Sequence, residues 1–314
     1  MTRAAALALT LLTALGGPAV TQEALPAPAE PPKAEQPAGD LAFGAFQRGY
    51  FVTALKEAMK RVEADKNDSV AMTLIGEIYA QGLGLKPNPE EGARWFKLAA
   101  DRGDRQAIFA YGMAKLRGRG LPEDRPGALA LLEKAAALGH SGALYNLGVA
   151  ALEHDGVTPQ FARAADYFRR AALLGETDAA YSLGLLYKTG SGVEKSERQA
   201  AEWIGRAASD NNLAAIVELA IMQFNGEGVE KDEAAAAKLF LKAAGRNNPI
   251  AQNRVARLFA AGRGLPRDRV EAMKWHLLAR AAGLQDHWLD GVLTGLTPQE
   301  KASVEESVRK YVGN

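Results

Sequence analysis

Residues 226–232 read GEGVEKD, two glycines one residue apart followed by a branched residue and a lysine. Backbone N–H groups in such a loop can wrap a phosphate, and a lysine can add charge. A phosphate loop, however, follows a strand and carries a third glycine or a Gly-Lys-Ser/Thr ending. Neither ending is present, and the same loop type recurs along the chain. Other candidates for chemistry are equally isolated. No two of the four histidines, His140, His154, His276 and His287, are three or four residues apart, so no helical metal pair exists. His276 is expected as a semi-buried packing residue, and His287, beside Asp286 and Trp288, as a capping or packing residue. Glu202 beside Trp203 would suit an acid next to a sugar platform, but Trp203 falls in a column of large residues that reads as core. Glu90 and Glu91 lie at a helix start, where the helix dipole explains acids. No catalytic residue, metal ligand or cofactor is therefore expected.

The recurrence itself is the stronger signal. GLGL starts at Gly82, GRGL at Gly118, GSGV at Gly190, GEGV at Gly226 and GRGL at Gly262; HDGV at residues 154–157 fills the missing place. The period is 36 residues over six units. Alanine holds 71, 107, 143, 179, 215 and 251. Glycine holds 76, 112, 148 and 184, and alanine 220 and 256. A large residue sits at Trp95, Leu131, Tyr167, Trp203, Leu239 and Trp275. Each unit closes on Gly103, Gly139, Gly175, Asn211, Asn247 or Gly283. A fixed period of this length means a stacked array.

One unit shows how the columns fold. Ala71, Ile75 and Ile78 have helical spacing, and the Gly-x-Gly loop that follows ends the helix with residues free to adopt positive φ. Asn88, Pro89 and Glu91 then form a capping-box start for a second helix, as do Ser196 and Asp268 in later units. The closing column holds only glycine or asparagine, which best tolerate a left-handed position. Each unit is predicted to be a helical hairpin, and no strand is expected.

These columns resemble those of the Sel-one-like repeat family, 36-residue relatives of tetratricopeptide repeats. Residues Ala179 to Asn211, AAYSLGLLYKTGSGVEKSERQAAEWIGRAASDN, carry nearly the whole pattern, with departures at Ser196 and Asn211. The resemblance implies an all-α, right-handed α-solenoid of helical hairpins that serves as a scaffold for protein–protein contacts. Cysteine-rich secreted relatives staple their hairpins with disulfides. This chain has no cysteine, so neither that device nor an enzymatic activity transfers, and thiolate metal sites and a cysteine nucleophile are excluded.

Residues 1–20 have the layout of a secretory signal peptide: Arg3, an apolar run from Ala4 to Leu15, then small residues. Residues 21–40 are rich in proline and alanine and read as a disordered linker. A degenerate first hairpin is expected at 41–67, with Phe51, Leu55, Ala58 and Val62 on one face; six repeats fill 68–283. Residues 284–314 form capping helices, with Thr297, Pro298 and Glu300 starting the last and Val304, Val308 and Tyr311 along one stripe. Lys plus Arg number 38 and Asp plus Glu 37 in 314 residues, a balance that gives no reason to expect nucleic acid. The expected product is an exported, periplasmic, monomeric scaffold without stable membrane insertion. The competing expectation is a cell-envelope enzyme, such as a cell-wall hydrolase, built on the solenoid.

One set of columns varies where the core columns do not. It lies beside the core stripe of each first helix, on the face that lines the concave side in such solenoids. Its candidate partner-binding residues are Asn146, Val149, Ser182, Leu185, Glu218, Ile221, Arg254 and Arg257. An apolar centre with charges at its C-terminal end suits a protein or peptide segment, including one from an envelope component. Arg254 and Arg257, three apart on one helix, are placed to share a partner's carboxylate. The last unit as a whole carries seven cations from Arg254 to Arg280 against Asp268 and Glu271, which reads as an ordinary solvated face before a docking patch.

Overall fold

The structure, a computed structural model, describes residues 40–153 and 158–313. The expected signal peptide, most of the linker and the HDGV loop with His154 lie outside the described residues. Within them are sixteen helices and no strand. A short hairpin of α1 (Leu41–Gln47) and α2 (Phe51–Ala64) comes first. Six first helices follow: α3 (Ser69–Gln81), α5 (Arg105–Arg117), α7 (Ser141–Leu152), α9 (Thr177–Thr189), α11 (Leu213–Asn225) and α13 (Pro249–Ala261). They alternate with second helices α4 (Pro89–Asp101), α6 (Arg125–Ala137), α8 (Phe161–Leu173), α10 (Glu197–Ser209), α12 (Glu233–Ala244) and α14 (Arg269–Ala281). The chain closes with α15 (His287–Val292) and α16 (Pro298–Val312). Each helix packs chiefly on its neighbours in sequence, which makes the array an α-solenoid.

The small columns set the spacing. The alanines at 71, 107, 143, 179, 215 and 251 are fully buried. A Cβ on Gly76 would lie 2.6 Å from the Phe96 ring, and one on Gly148 2.5 Å from Phe168, so the second helix's large core residue rests on bare first-helix backbone. Such close approach gains dispersion contacts that a larger side chain would forfeit.

The Gly-x-Gly loop is the joint between repeats. Its first glycine ends the first helix in the left-handed conformation, as at Gly226 with φ 80°. Its second glycine abuts the start of the preceding unit's second helix: a Cβ at Gly228 would sit 2.0 Å from the Glu197 carbonyl oxygen, and one at Gly264 2.1 Å from that of Glu233. Two separate demands, positive φ and backbone contact, therefore hold these glycines. Asn211 and Asn247, at φ 64° and 60°, are the only non-glycine residues with positive φ among the described residues, and both lie in the closing column.

The second-helix starts differ from the expected capping boxes. Asn88, Ser196 and Asp268 do accept from backbone N–H groups of their first turns. Their own N–H groups, however, donate to first-helix carbonyls, Asn88 to Tyr79 at 2.8 Å, Ser196 to Tyr187 at 3.0 Å and Asp268 to Phe259 at 3.1 Å. The hairpin already satisfies the donor that an N3 carboxylate would otherwise reach. A reciprocal box forms at Thr297 and Glu300, where no hairpin partner takes that N–H.

At the C-terminal end α16 lies on α14. Val304 is buried, Val308 and Tyr311 are half-buried, and the Tyr311 ring meets Trp275 edge-on at 5.2 Å. Its hydroxyl donates to the Ala244 carbonyl at 3.1 Å. At the other end Ala54, Ala58 and Val62 of α2 are buried, with Phe51 and Leu55 half-buried.

Candidate functional site

The variable stripe of the first helices is partly spent on its own chain. Asn146 donates to the Gly142 carbonyl at 2.7 Å and Ser182 to that of Asp178 at 2.8 Å, each one turn back in its helix. Val149, Leu185 and Ile221 are half-buried. Glu218 accepts from Lys188 of the preceding repeat at 2.5 Å. Arg254 is exposed and has no hydrogen-bonding or ion-pair partner among the described residues. Arg257 is engaged: Nε and one terminal nitrogen grip the two oxygens of Asp286 at 2.6 and 2.8 Å. The two arginines therefore do not share a vacant carboxylate site, because the cap already supplies Arg257 with its acid.

Two of the hollows along this helix row are equivalent. The C-terminal one, about 260 Å³, lies between α11 and α13 over Phe240 of α12, with Ile221, Arg254, Arg257, Leu258 and Trp288 in its wall. The N-terminal one, about 400 Å³, lies between α3 and α5 over Phe96 of α4, with Glu77, Phe109, Met113, Arg117 and Asn146. They are the same place in the array, four periods apart. Ile221 stands where Glu77 does, Arg254 where Ala110 does, Arg257 where Met113 does, and Arg263 where Arg119 does. Val149, Ser182, Leu185 and Glu218 line neither hollow.

The C-terminal hollow is held from behind. Asp286 caps α15 by accepting from Leu289 N–H at 3.2 Å, and also accepts from Asn253 at 2.7 Å; its side chain is 3 % exposed. Burial works against its charge, but hydrogen bonds from Arg257, Asn253 and the Leu289 N–H outweigh this and hold its pKa at about 2. The Arg257 guanidinium lies 5.2 Å from the Trp288 ring centre, and Trp288 remains 44 % exposed at the rim. Across the hollow, Arg263 pairs with both oxygens of Glu233 and stacks over Phe224 at 4.4 Å. The N-terminal hollow is mixed in charge, with Glu77 as well as Arg117 and Arg119 in its lining. Burial pushes the Glu77 carboxyl up from its ordinary value, against the pull of Arg119, and Gln81 donates to it.

Two histidines have structural duties. His140 caps α7, its Nδ1 accepting from Ala143 N–H at 3.1 Å, and stacks on Phe109 with ring centres 4.2 Å apart. His276 is more buried than a semi-buried packing residue, 1 % exposed, and its Nε2 lies 2.8 Å from Asp290 of the cap. His287 is exposed, with Nδ1 3.5 Å from Asp290, and it neither packs nor caps: Asp286 is the cap of α15. No group of three or more metal-ligating side chains occurs among the described residues. Asp286 and Trp288 were beyond the reach of periodicity. The helix they start begins at residue 287, two residues later than the period would place it, so no repeat column reports their contacts.

Comparison with known proteins agrees with this architecture. The Sel1 repeat model matches residues 69–104, 105–140, 141–176, 177–212, 213–248 and 249–284. A Sel1 repeat protein from Oxalobacter formigenes is similar at 28 % identity, covering 77 % of this chain and 98 % of that one, with a TM-score of 0.69. A protective antigen present in uropathogenic Escherichia coli strains, displaying an SLR fold, is similar at 24 % identity, covering 87 % of this chain and 67 % of that one, with a TM-score of 0.52. No curated protein matches the sequence.

Proposed function

The chain belongs to the Sel1 repeat family, whose stacked hairpins form a protein-interaction scaffold, and on that premise we propose that it is an exported, periplasmic scaffold that holds a protein partner along its first-helix row. It works as a monomer and performs no catalysis of its own. The observation that carries the reading is the pair of equivalent hollows. Their floors carry the same residue type, Phe96 and Phe240, while their walls differ in charge. A buried floor answers to packing and the walls do not, so the walls are free to be set by a partner.

Export rests on the run from Ala4 to Leu15 and the proline-rich segment after it. No helix among the described residues is long and apolar enough to cross a membrane. Fusing residues 1–40 to a reporter that is active only outside the cytoplasm should give activity; a silent but well-expressed fusion would remove the periplasm from the reading. Cross-linking capture from envelope extracts with the full chain should return a stable protein partner. Repeated capture of nothing above a control solenoid would remove the scaffold role.

A further inference from the structure

The C-terminal hollow combines three properties. Its floor and one wall are apolar, from Phe240, Leu258, Ile221 and Phe224. Three arginines line it and no carboxylate does. Two of them are fixed before anything binds, Arg257 by Asp286 against Trp288 and Arg263 by Glu233 against Phe224. Arg254 alone has no partner among the described residues. The ordering cost on binding then falls mainly on Arg254, because the other two cations around the site are already held.

The size narrows the occupant. Pockets for drug-sized ligands run to about 300–1,000 Å³, and this hollow, at 260 Å³, suits one or two side chains of a larger molecule. The charge narrows it further. A nucleic acid gains affinity from a run of cations along its phosphates, whereas here two of the three arginines are already paired. A single unpaired cation beside an apolar floor matches one carboxylate next to an apolar side chain.

We propose that this hollow is a docking site for an acidic peptide segment of a partner protein, an apolar side chain entering over Phe240 and Leu258 while a neighbouring carboxylate meets Arg254. The proposal rests on the scaffold reading and names the chemistry of its partner. Trp288, contributed by the cap, forms the rim over which the segment passes, so the cap serves the site as well as the end of the array.

The probe is a blocked tetrapeptide of two central leucines flanked by glutamates, added to the full chain. The readout is the Trp288 indole N–H resonance, identified with Trp288→Phe. The glutamate peptide should move this signal saturably. Its glutamine counterpart should bind about fivefold more weakly, and Arg254→Glu should weaken the glutamate peptide about tenfold, as loss of one charge-assisted contact implies. A lysine-flanked peptide that moves the signal equally would overturn the proposal. So would an oligothymidylate that binds more tightly than the peptide, or a Trp288 signal that no peptide moves at millimolar concentration. Envelope capture separates this proposal from the reading beneath it. A parent chain and an Arg254→Glu chain that capture the same partner equally well would sink the hollow and leave the scaffold role standing; a parent chain that captures nothing would sink both.

Discussion

The two hollows occupy one architectural position four repeats apart, yet the first holds a carboxylate among its arginines and the second holds arginines alone. In the first, a half-buried acid, Glu77, stands on the leading helix, and Ala110 and Met113 face it from the next. In the second, the leading helix offers Ile221 and the next offers Arg254 and Arg257. The backbone that frames them is the same, because alanine and glycine columns dictate how closely the helices approach. The difference shows what the repeat constrains: it determines where a hollow lies and not which charge lines it. The hollows also differ in support. The first is walled by repeats alone, whereas the second depends on Asp286 and Trp288 from outside the array.

That dependence gives the largest expected effect. A chain ending after Gly283 loses Trp288 and Asp286 together with the Val304 stripe. It should aggregate, since the apolar face of α14 is left bare, and light scattering would show it. A truncated chain that stays monomeric and melts like the full one would show that the second hollow needs no cap.

Asp286→Ala is the sharper version. It removes an α15 cap worth about 1 kcal/mol and leaves Arg257 unpaired. Because that guanidinium is partly solvated, the ion pair adds about 2 kcal/mol, below the cost of breaking a fully buried pair. Denaturant unfolding should register a loss of about 3 kcal/mol, with increased hydrogen exchange confined to α13 and α15. Glu77→Ala, by contrast, removes a carboxylate that burial disfavours and should leave stability unchanged within about 0.5 kcal/mol. Equal costs at the two sites would erase the asymmetry.

Acid should act on the two carboxylates in opposite directions. The pKa of Asp286 is depressed to about 2, so its contribution is complete above its unfolded value and is lost as pH falls through about 2. From an ordinary value of 3.8, that contribution is about 2 kcal/mol. The pKa of Glu77 is raised, so its contribution is present below its unfolded value and is lost as pH rises through the folded one. Carboxyl-carbon NMR titration should place the Glu77 midpoint above that of an ordinary glutamate and the Asp286 midpoint near 2; midpoints in the reverse order would contradict both environments.

The architecture was legible because packing writes itself into sequence at fixed intervals. The columns of Ala71, Gly76 and Gly103 announced the hairpins, their close approach and their turns. The hollows were legible only in part. Arg254, Arg257 and Ile221 stood out as variable positions, but sequence could not show that Arg257 is already held. Its partner sits 29 residues on, at the cap of a helix outside the period. Nor could it show that hairpin hydrogen bonds would displace the capping boxes, since those bonds join residues of two different helices. Local patterns report local contacts, and the cap meets the array through contacts that no local pattern contains.

The smallest effect comes from transplanting a charge between the hollows. Ala110 holds the place in the first that Arg254 holds in the second. Ala110→Arg would introduce a cation opposite Glu77, on a half-buried helix face with room to extend into the 400 Å³ hollow. An opposite charge nearby favours the ionised carboxylate, so the new arginine should pair with Glu77 and lower its midpoint toward the ordinary value. Stability should change by no more than about 0.5 kcal/mol, as for most substitutions away from packed cores. The pairing should also occupy the introduced cation, so the glutamate peptide should gain no measurable affinity for this end of the row. The further change Glu77→Ile copies the second hollow's wall and frees the arginine, and peptide binding should then appear. If Ala110→Arg alone confers binding, position in the array is sufficient and the acid at Glu77 is irrelevant. If the double change confers none, the Trp288 rim is indispensable, and the recognition surface belongs to the cap as much as to the repeats.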